Sequence, residues 1–546
     1  MIVVPDSDII LVKSPLKLDL NNQITFSSKQ AQYNYFSNLP HLQYDGCTYV
    51  RKDGVIRYNT DKEEDSSAPR FEDLLQYNYC MYKNDSYSDK WFYAFITKIQ
   101  YINDGMSEVT IDTDAFQTWQ FDLLYKQSFV EREHVTNDTF GAHTLPEDLP
   151  TGDLISCKLQ PSFNTDIETC FVLAVSELLT GSYSTNNQLI PSGLYYIGLT
   201  SNTGVRTYCE AYDKAGKADA INSVFIAPKS FFSAFIENST VSAGGTTYTI
   251  TGGVSYNVDF NFTQNITVTR VNYLADEYYP RNNKTLCYPY SYLQVSNHNG
   301  TVLNYKWENF NMLLGGNDYR FTLRGTISPG CSMSAYPNDY NNILSNYDES
   351  INLGKYPIGG WNSDTYTNWL TQNGVNIAGY QISATEAKLL GAGVQATAGT
   401  LALGAGMAET GVSQLANVPG EIFSAMQDDY RHSLIPEQAR GNTNIGDYSF
   451  QYGLTNLEFK RMSVKREYAI MIDDYFTLYG YKVNDVKTPQ ITSRLNWNYI
   501  KCISVNIEGD VPEEDLDKVR SLFNNGCTFW HNTSTFLDYT QPNTIL

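Results

Sequence analysis

A run of twenty uncharged residues, from Leu389 to Ala408, constrains this chain more than any other stretch. It reads LLGAGVQATAGTLALGAGMA, is closed by Lys388 and Glu409, and resumes without charge from Thr410 to Gly420. As a helix it could cross the hydrocarbon of a bilayer, which takes about 20 residues. It is no ordinary anchor, because five of the twenty residues are Gly and six are Ala. Each Gly costs a helix about 1 kcal/mol relative to Ala. Small residues four apart, at Ala392/Ala396, Ala398/Ala402 and Gly404/Ala408, allow close backbone approach between helices. The segment reads as one stored out of water in one state and able to enter lipid in another. The plainer reading is a flexible Gly/Ala loop or a buried helix of a large domain.

The rest of the chain is water-loving. Its 546 residues suffice for two to four domains with sizeable cores. A net charge of -21 argues against gripping nucleic acid through its phosphates. Aromatics make up 14% of the residues, with 42 Tyr among them, and charged residues only 18%. That balance suits β-rich proteins with large wet interfaces, since Tyr joins an apolar body to a polar tip. The nine Cys are irregularly spaced with no C-x-x-C, so neither a disulfide framework nor a zinc site is expected. The start, Met1 to Asp8, has no basic region and turns acidic at once, so no signal peptide is expected.

The fold class expected is mainly β, built as antiparallel barrels or sandwiches with a few helices. The first 130 residues read as strands. Trp91 to Ile96 is aromatic on both sides, Asn103-Asp104-Gly105 signals a hairpin, and Glu108 to Thr113 alternates. Texture changes near 136, where Pro146, Pro150 and Gly152 punctuate a boundary. Short alternating runs between 150 and 380 suggest a sandwich or barrel. Ala218 to Phe225, Asn341 to Leu344 and Asp364 to Leu370 read as short helices. Helices are expected over 466–479, ended by Gly480, and from Glu513 to Asn524, opened by Pro512 and acids and closed by Gly526.

Two blocks carry a resemblance. The first holds Trp91-Phe92-Tyr93-Ala94-Phe95, Tyr101, Asn103-Asp104-Gly105, Gln117-Thr118-Trp119, Phe121, Ser128-Phe129 and Arg132-Glu133-His134-Val135. The second holds Tyr479-Gly480-Tyr481-Lys482-Val483-Asn484, Val486-Lys487, Pro489, Asn498-Tyr499, Gly509-Asp510, Arg520, Phe523, Asn525-Gly526 and Trp530-His531. The uncharged segment lies between them, followed by Ala416-Asn417-Val418-Pro419. In this order the features resemble the distal tail knob, or tail tube tip, proteins of small short-tailed phages with protein-primed DNA replication. They cover about a third of the chain.

The resemblance implies a homo-hexameric tube at the tail tip of the virion, made in the host cytoplasm. It implies a tube domain from 1–140 and 421–546, a β-rich knob domain from 141–384, and a hydrophobic loop at 385–420. Six such loops would plug the channel, then leave it and penetrate the host cytoplasmic membrane for genome ejection. Leu389, Leu390, Val394, Leu401, Leu403 and Met407 are the residues expected to meet lipid. Other tail proteins, namely the upper tail or collar and a tail-tip lysis protein, are the implied partners. DNA would pass through the lumen without specific binding, which an acidic subunit favours.

No enzyme and no cofactor are expected. Carboxylate pairs at Asp112/Asp114, Glu131/Glu133, Asp473/Asp474 and Glu513/Glu514 could serve a glycosidase at about 5–10 Å separation. With 59 acidic residues, chance pairs on a solvated face are the simpler account. The six His show no H-E-x-x-H spacing, and His134 and His531 read as structural hydrogen bonders. Gly391-x-Gly393 has no Gly-Lys-Ser/Thr after it, so phosphate binding is not expected. The competing readings are a receptor-binding tail protein whose middle domain grips cell-wall glycan, and a wall-degrading hydrolase.

Overall fold

The computed structural model describes residues 7–61, 68–84, 90–163, 168–181, 194–259, 261–310, 317–328, 331, 333–353, 356, 358–362, 440–444 and 457–546. Strands dominate, and six α-helices occur among the described residues. They are α1 Lys29–Ser37, α2 Phe71–Leu74, α3 Ala115–Trp119, α4 Asn202–Lys214, α5 Arg466–Tyr479 and α6 Glu513–Asn525. The chain divides into two compact units. The first is assembled from Met1–Gly152, Asp276–Pro289 and Lys465–Leu546, and the second from Asp153–Ala275 and Tyr290–Val464.

The first unit contains a six-stranded antiparallel sheet. Its order is His41–Cys47, Ser7–Val12, Tyr79–Asn84, Trp91–Asn103, Met106–Thr113 and Val55–Asn59. Successive side chains of a strand face opposite ways, so the aromatic run from Phe92 to Phe95 feeds two cores. Phe92 and Ala94 join Ile9, Leu11, Val109, Ile111 and Trp119 on one face. Tyr93 and Phe95 join Phe36, Tyr79, Trp497 and Trp530 on the other. The turn after Asn103 is held by the Asn103 side chain, which accepts from the Gly105 N–H at 3.0 Å. The return strand Met106–Thr113 then alternates strictly, with Ser107, Val109, Ile111 and Thr113 buried.

A five-stranded sheet follows, ordered Asn22–Ile24, Cys527–Trp530, Trp497–Ser504, Ser128–Glu133 and Tyr481–Lys487. Its middle strands come from both ends of the chain. Ile500 pairs with Glu133, and Tyr481 pairs with the same residue from the other side. One face is covered by α6, whose Leu516, Val519, Leu522 and Phe523 meet Val130, Ile500, Cys502 and Phe529. Both helices foreseen near the C-terminus form, and Gly480 and Gly526 end them at positive φ of 63° and 90°.

In the second unit the strand pairs among the described residues are antiparallel. A seven-stranded sheet runs Ile236–Glu237, Gly253–Ser255, Tyr195–Leu199, Thr169–Val175, Ile221–Pro228, Ile358–Asn362 and Arg440–Asn444. A second sheet is built on Asn261–Thr269, Asp318–Thr326 and Met333–Tyr340. A third places Glu458–Val464 between Leu154–Lys158 and Ser291–Ser296.

Some local expectations fail. Ala218 to Phe225 is not a helix: one 3-10 turn, Ala218–Ala220, leads into the strand Ile221–Pro228, whose Ile221 and Val224 are buried. Asn341 to Leu344 is a turn entering the strand Ile343–Ser345, with Asn341 and Asn342 at positive φ. The first 130 residues are not all strand, because α1, α2 and α3 lie among them. Ser28 caps α1 by accepting from the Ala31 N–H, and Asp114 caps α3 through the Gln117 N–H. Helix α4 carries a Val205, Tyr208, Tyr212 stripe behind the cap Ser201, a pattern visible in the sequence. None of the nine Cys forms a disulfide.

Candidate functional site

The membrane-facing positions Leu389, Leu390, Val394, Leu401, Leu403 and Met407 lie outside the described residues, as do the 364–370 helix and the whole of 385–420. Among the described residues no helix is long and apolar enough to cross a membrane. The structure does describe where the chain departs and returns. Ile358–Asn362 and Arg440–Asn444 pair antiparallel, from Ile358 opposite Asn444 to Asn362 opposite Arg440. Ile358–Gly360 also pairs with Val224 and its neighbours, so the excursion is rooted in the seven-stranded sheet. Residues 363–439 thus connect two neighbouring strands whose ends already lie together. Loop closure entropy rises only by about 0.6 kcal/mol per doubling of loop length. The sheet can therefore tolerate a long or a short connection at this point.

The first unit is fastened by two buried carboxylates: Asp473, half of the Asp473/Asp474 pair, and Glu147, which belongs to none of the sequence pairs. Asp473, on α5, is fully buried. It accepts from the Tyr278 hydroxyl at 2.7 Å and from the backbone N–H groups of Arg281 and Asn282 at 2.9 and 3.0 Å. The Asn282 side-chain amide adds a bond at 2.8 Å. These bonds tie the 276–289 segment onto α5. Glu147 sits between the guanidinium of Arg132 and the ammonium of Lys284, the latter at 2.6 Å, and accepts from the Lys482 N–H at 2.9 Å. Burial pulls the Lys284 pKa down, and Glu147 opposes that shift. Arg132 also donates to the Gly480 carbonyl at 2.8 Å.

Most of the other carboxylates in these pairs also have structural partners. Asp112 pairs with Lys518 at 2.8 Å, whereas Asp114 is buried as the α3 cap and receives the Tyr79 hydroxyl at 3.0 Å. Glu131 pairs with Lys501 at 2.9 Å, while Glu133 is buried beside Lys487. Asp474 pairs with Arg281, and Glu513 with Arg520 at 2.6 Å.

His134 is a buried and His531 a half-buried hydrogen-bonding residue, in line with their sequence context. His134 accepts the Tyr499 N–H at Nδ1, 2.6 Å away, and donates from Nε2 to the Thr477 carbonyl at 3.0 Å. Burial, reinforced by Arg494, pushes its pKa down to about 3, and burial pushes that of His531 down to about 4. Each therefore contributes stability that is complete above the unfolded value of 6.5 and is lost as pH falls toward those folded values. By pH ~4.5 the loss is roughly 2–3 kcal/mol per histidine. Asp114 has the opposite sign. Burial raises its pKa from 3.8 to about 6, so its contribution is complete below 3.8 and lost as pH rises through 6. The expected result is that His531→Asn flattens the acid limb of stability and Asp114→Asn steepens it. Urea midpoints between neutral pH and pH ~4.5 check both.

Comparison with known proteins places this arrangement. The profile described as Bacillus phage phi29, tail knob protein gp9, C-terminal domain, matches residues 255–544. A second, described as Caudoviral major tail protein N-terminus, matches residues 6–125. Tail knob protein gp9 of Bacillus phage B103 is 23% identical over 97% of both chains, and that of Bacillus phage phi29 is 24% identical over 98% of both. The structure of the bacteriophage C1 tail knob protein, gp12, is similar with a TM-score of 0.63 at 14% identity, covering 99% of this chain and 100% of that one. With more than half its length matched by the first profile, the chain belongs to the phi29-type tail knob protein family, whose place is in the phage tail.

Proposed function

We propose that this tail component is the subunit of a hexameric, DNA-conducting tube tip whose uncharged segments first plug the channel and then penetrate the host cytoplasmic membrane. In this reading the first unit is the tube domain and the second the knob. Residues 385–420 are the plug and the membrane-active element, with Leu389, Leu390, Val394, Leu401, Leu403 and Met407 facing lipid. The role is structural, without catalysis. The upper tail and a tip lysis protein are its neighbours in the virion, and DNA slides past an acidic wall without specific contacts.

One observation carries the reading. The charge-free span is set into a chain whose two flanking strands, Ile358–Asn362 and Arg440–Asn444, are paired with each other. A segment inserted that way can change surroundings without unpicking the sheet that carries it. Its backbone polar groups must still be satisfied in lipid, by helix formation or by neighbouring copies.

Deleting residues 388–418 and joining the ends with a short Gly-Ser link tests this. The expected variant is soluble, keeps its thermal midpoint and its assembly state, and no longer releases dye from liposomes. Dye release that persists in the deletion overturns the assignment.

A further inference from the structure

The first unit holds an open cleft of about 470 Å³ between α5, the strands Ser128–Glu133 and Trp497–Ser504, and the loop around Glu147. That volume lies in the range of small-ligand sites, about 300–1,000 Å³. Neither the tube reading nor the plug reading uses it.

Its wall is aromatic. Tyr475 and Tyr479 lie one helical turn apart on α5, with ring centroids 5.1 Å apart, and Tyr479 meets Tyr499 edge-on at 5.1 Å and 83°. The Arg132 guanidinium lies 4.9 Å from the centre of the Tyr475 ring, which occupies one side of that ring. Tyr479 is 39% exposed. Among the described residues, none of the three phenol hydroxyls has a hydrogen-bond partner within the protein.

The charges of the cleft cancel. Arg132, Lys482 and Lys501 are matched by Glu131, Glu147 and Asp148. Two of the cations are already engaged, Arg132 with Glu147 and Lys501 with Glu131. The Lys482 ammonium and the Asp148 carboxylate remain at the rim without ion-pair partners among the described residues. A phosphate or polyanion finds no excess positive charge here, in a chain of net charge -21. An apolar ligand would leave these polar groups desolvated and unpaired. What fits is a molecule with one flat C–H face and a rim of hydroxyls.

We propose that this cleft binds a short, uncharged oligosaccharide. One sugar ring stacks on Tyr479. Its hydroxyls bond to the phenols, to the Lys482 ammonium as acceptors and to the Asp148 carboxylate as donors. The site belongs to the first unit and stands independently of the uncharged segment.

The test uses the full chain in saturation-transfer NMR and calorimetric titration with chitotetraose and maltotetraose, and with inorganic phosphate as the anionic control. The expected result is binding of at least one of the two sugars, unaffected by phosphate. Tyr479→Ala weakens it tenfold or more at an unchanged thermal midpoint, whereas Tyr479→Phe keeps the ring and stays within about threefold. If Tyr479→Ala does not fold, Lys482→Ala supplies the same reading through the lost ammonium. Absence of binding by both sugars, binding indifferent to these substitutions, or competition by phosphate overturns the proposal.

Discussion

Gly480→Ala is expected to destabilise the first unit by about 4 kcal/mol or more, a lowering of Tm by about 10 °C for a unit of this size. Gly480 ends α5 at φ 63° and ψ -153°, a backbone region that side-chain-bearing residues hardly enter. A methyl group there would stand 2.1 Å from the Glu133 carbonyl oxygen, 2.3 Å from its carbon and 2.6 Å from the His134 nitrogen. All three are backbone atoms, so no rotamer change relieves the contact. Relief requires moving the strand Ser128–Glu133 away from Tyr481–Lys487, which breaks the Tyr481–Glu133 pairing. It also withdraws the Gly480 carbonyl from Arg132. Calorimetric melting of the purified variant checks the expectation, and a midpoint within about 2 °C of the parent would contradict it.

Removing the Glu147 carboxylate should cost nearly as much. Glu147 and Lys284 each have side chains 3% exposed, and Arg132 11%. Glu147→Ala leaves two buried cations without their anion and orphans the Lys482 N–H, a loss of about 3–5 kcal/mol. The pair of substitutions Glu147→Leu and Lys284→Met removes charge of both signs. It should therefore be less damaging than Glu147→Ala alone, because the larger penalty comes from the stranded charge rather than from the lost attraction. A double-mutant cycle in urea measures this. A single-substitution cost below about 1 kcal/mol would mean that water, not Glu147, solvates these cations.

The structure also explains why paired acids were a poor guide to chemistry. Asp112 and Asp114 are two apart, yet the strand ends at Thr113 and Asp114 turns inward as a helix cap. Spacing in sequence gives a shared face only while the strand continues. Asp473, by contrast, sits in an ordinary-looking pair with Asp474. Nothing near it in sequence announces that its partners are Tyr278, Arg281 and Asn282.

Local rules carried the chain a long way. Aromatic alternation identified the strand at Phe92 to Phe95 as buried on both sides, since period-two patterning needs no knowledge of the partner. Pro512 with its acids, and glycines at 480 and 526, bounded α5 and α6 through cap chemistry that acts within one turn. Absence of charge in 389–408 singled that stretch out by composition alone. Helix α1 escaped because Gln, Asn and Tyr around Phe36 make a weak stripe, and only the Ser28 cap hinted at it. Ile221–Pro228 reads poorly as a strand because, apart from Asn222, it is buried throughout and shows no alternation.

What tertiary structure alone decided is how distant stretches share one core. Ser128–Glu133 is flanked by strands from the last seventy residues, and 276–289 is stitched onto α5 by bonds that span about two hundred positions. The pairing of 358–362 with 440–444 is also long-range, though shorter in span. Such contacts depend on which buried donors find acceptors once the chain has closed on itself. A carboxylate's neighbours in space, not its neighbours in sequence, determine whether it is a solvated charge or a rivet.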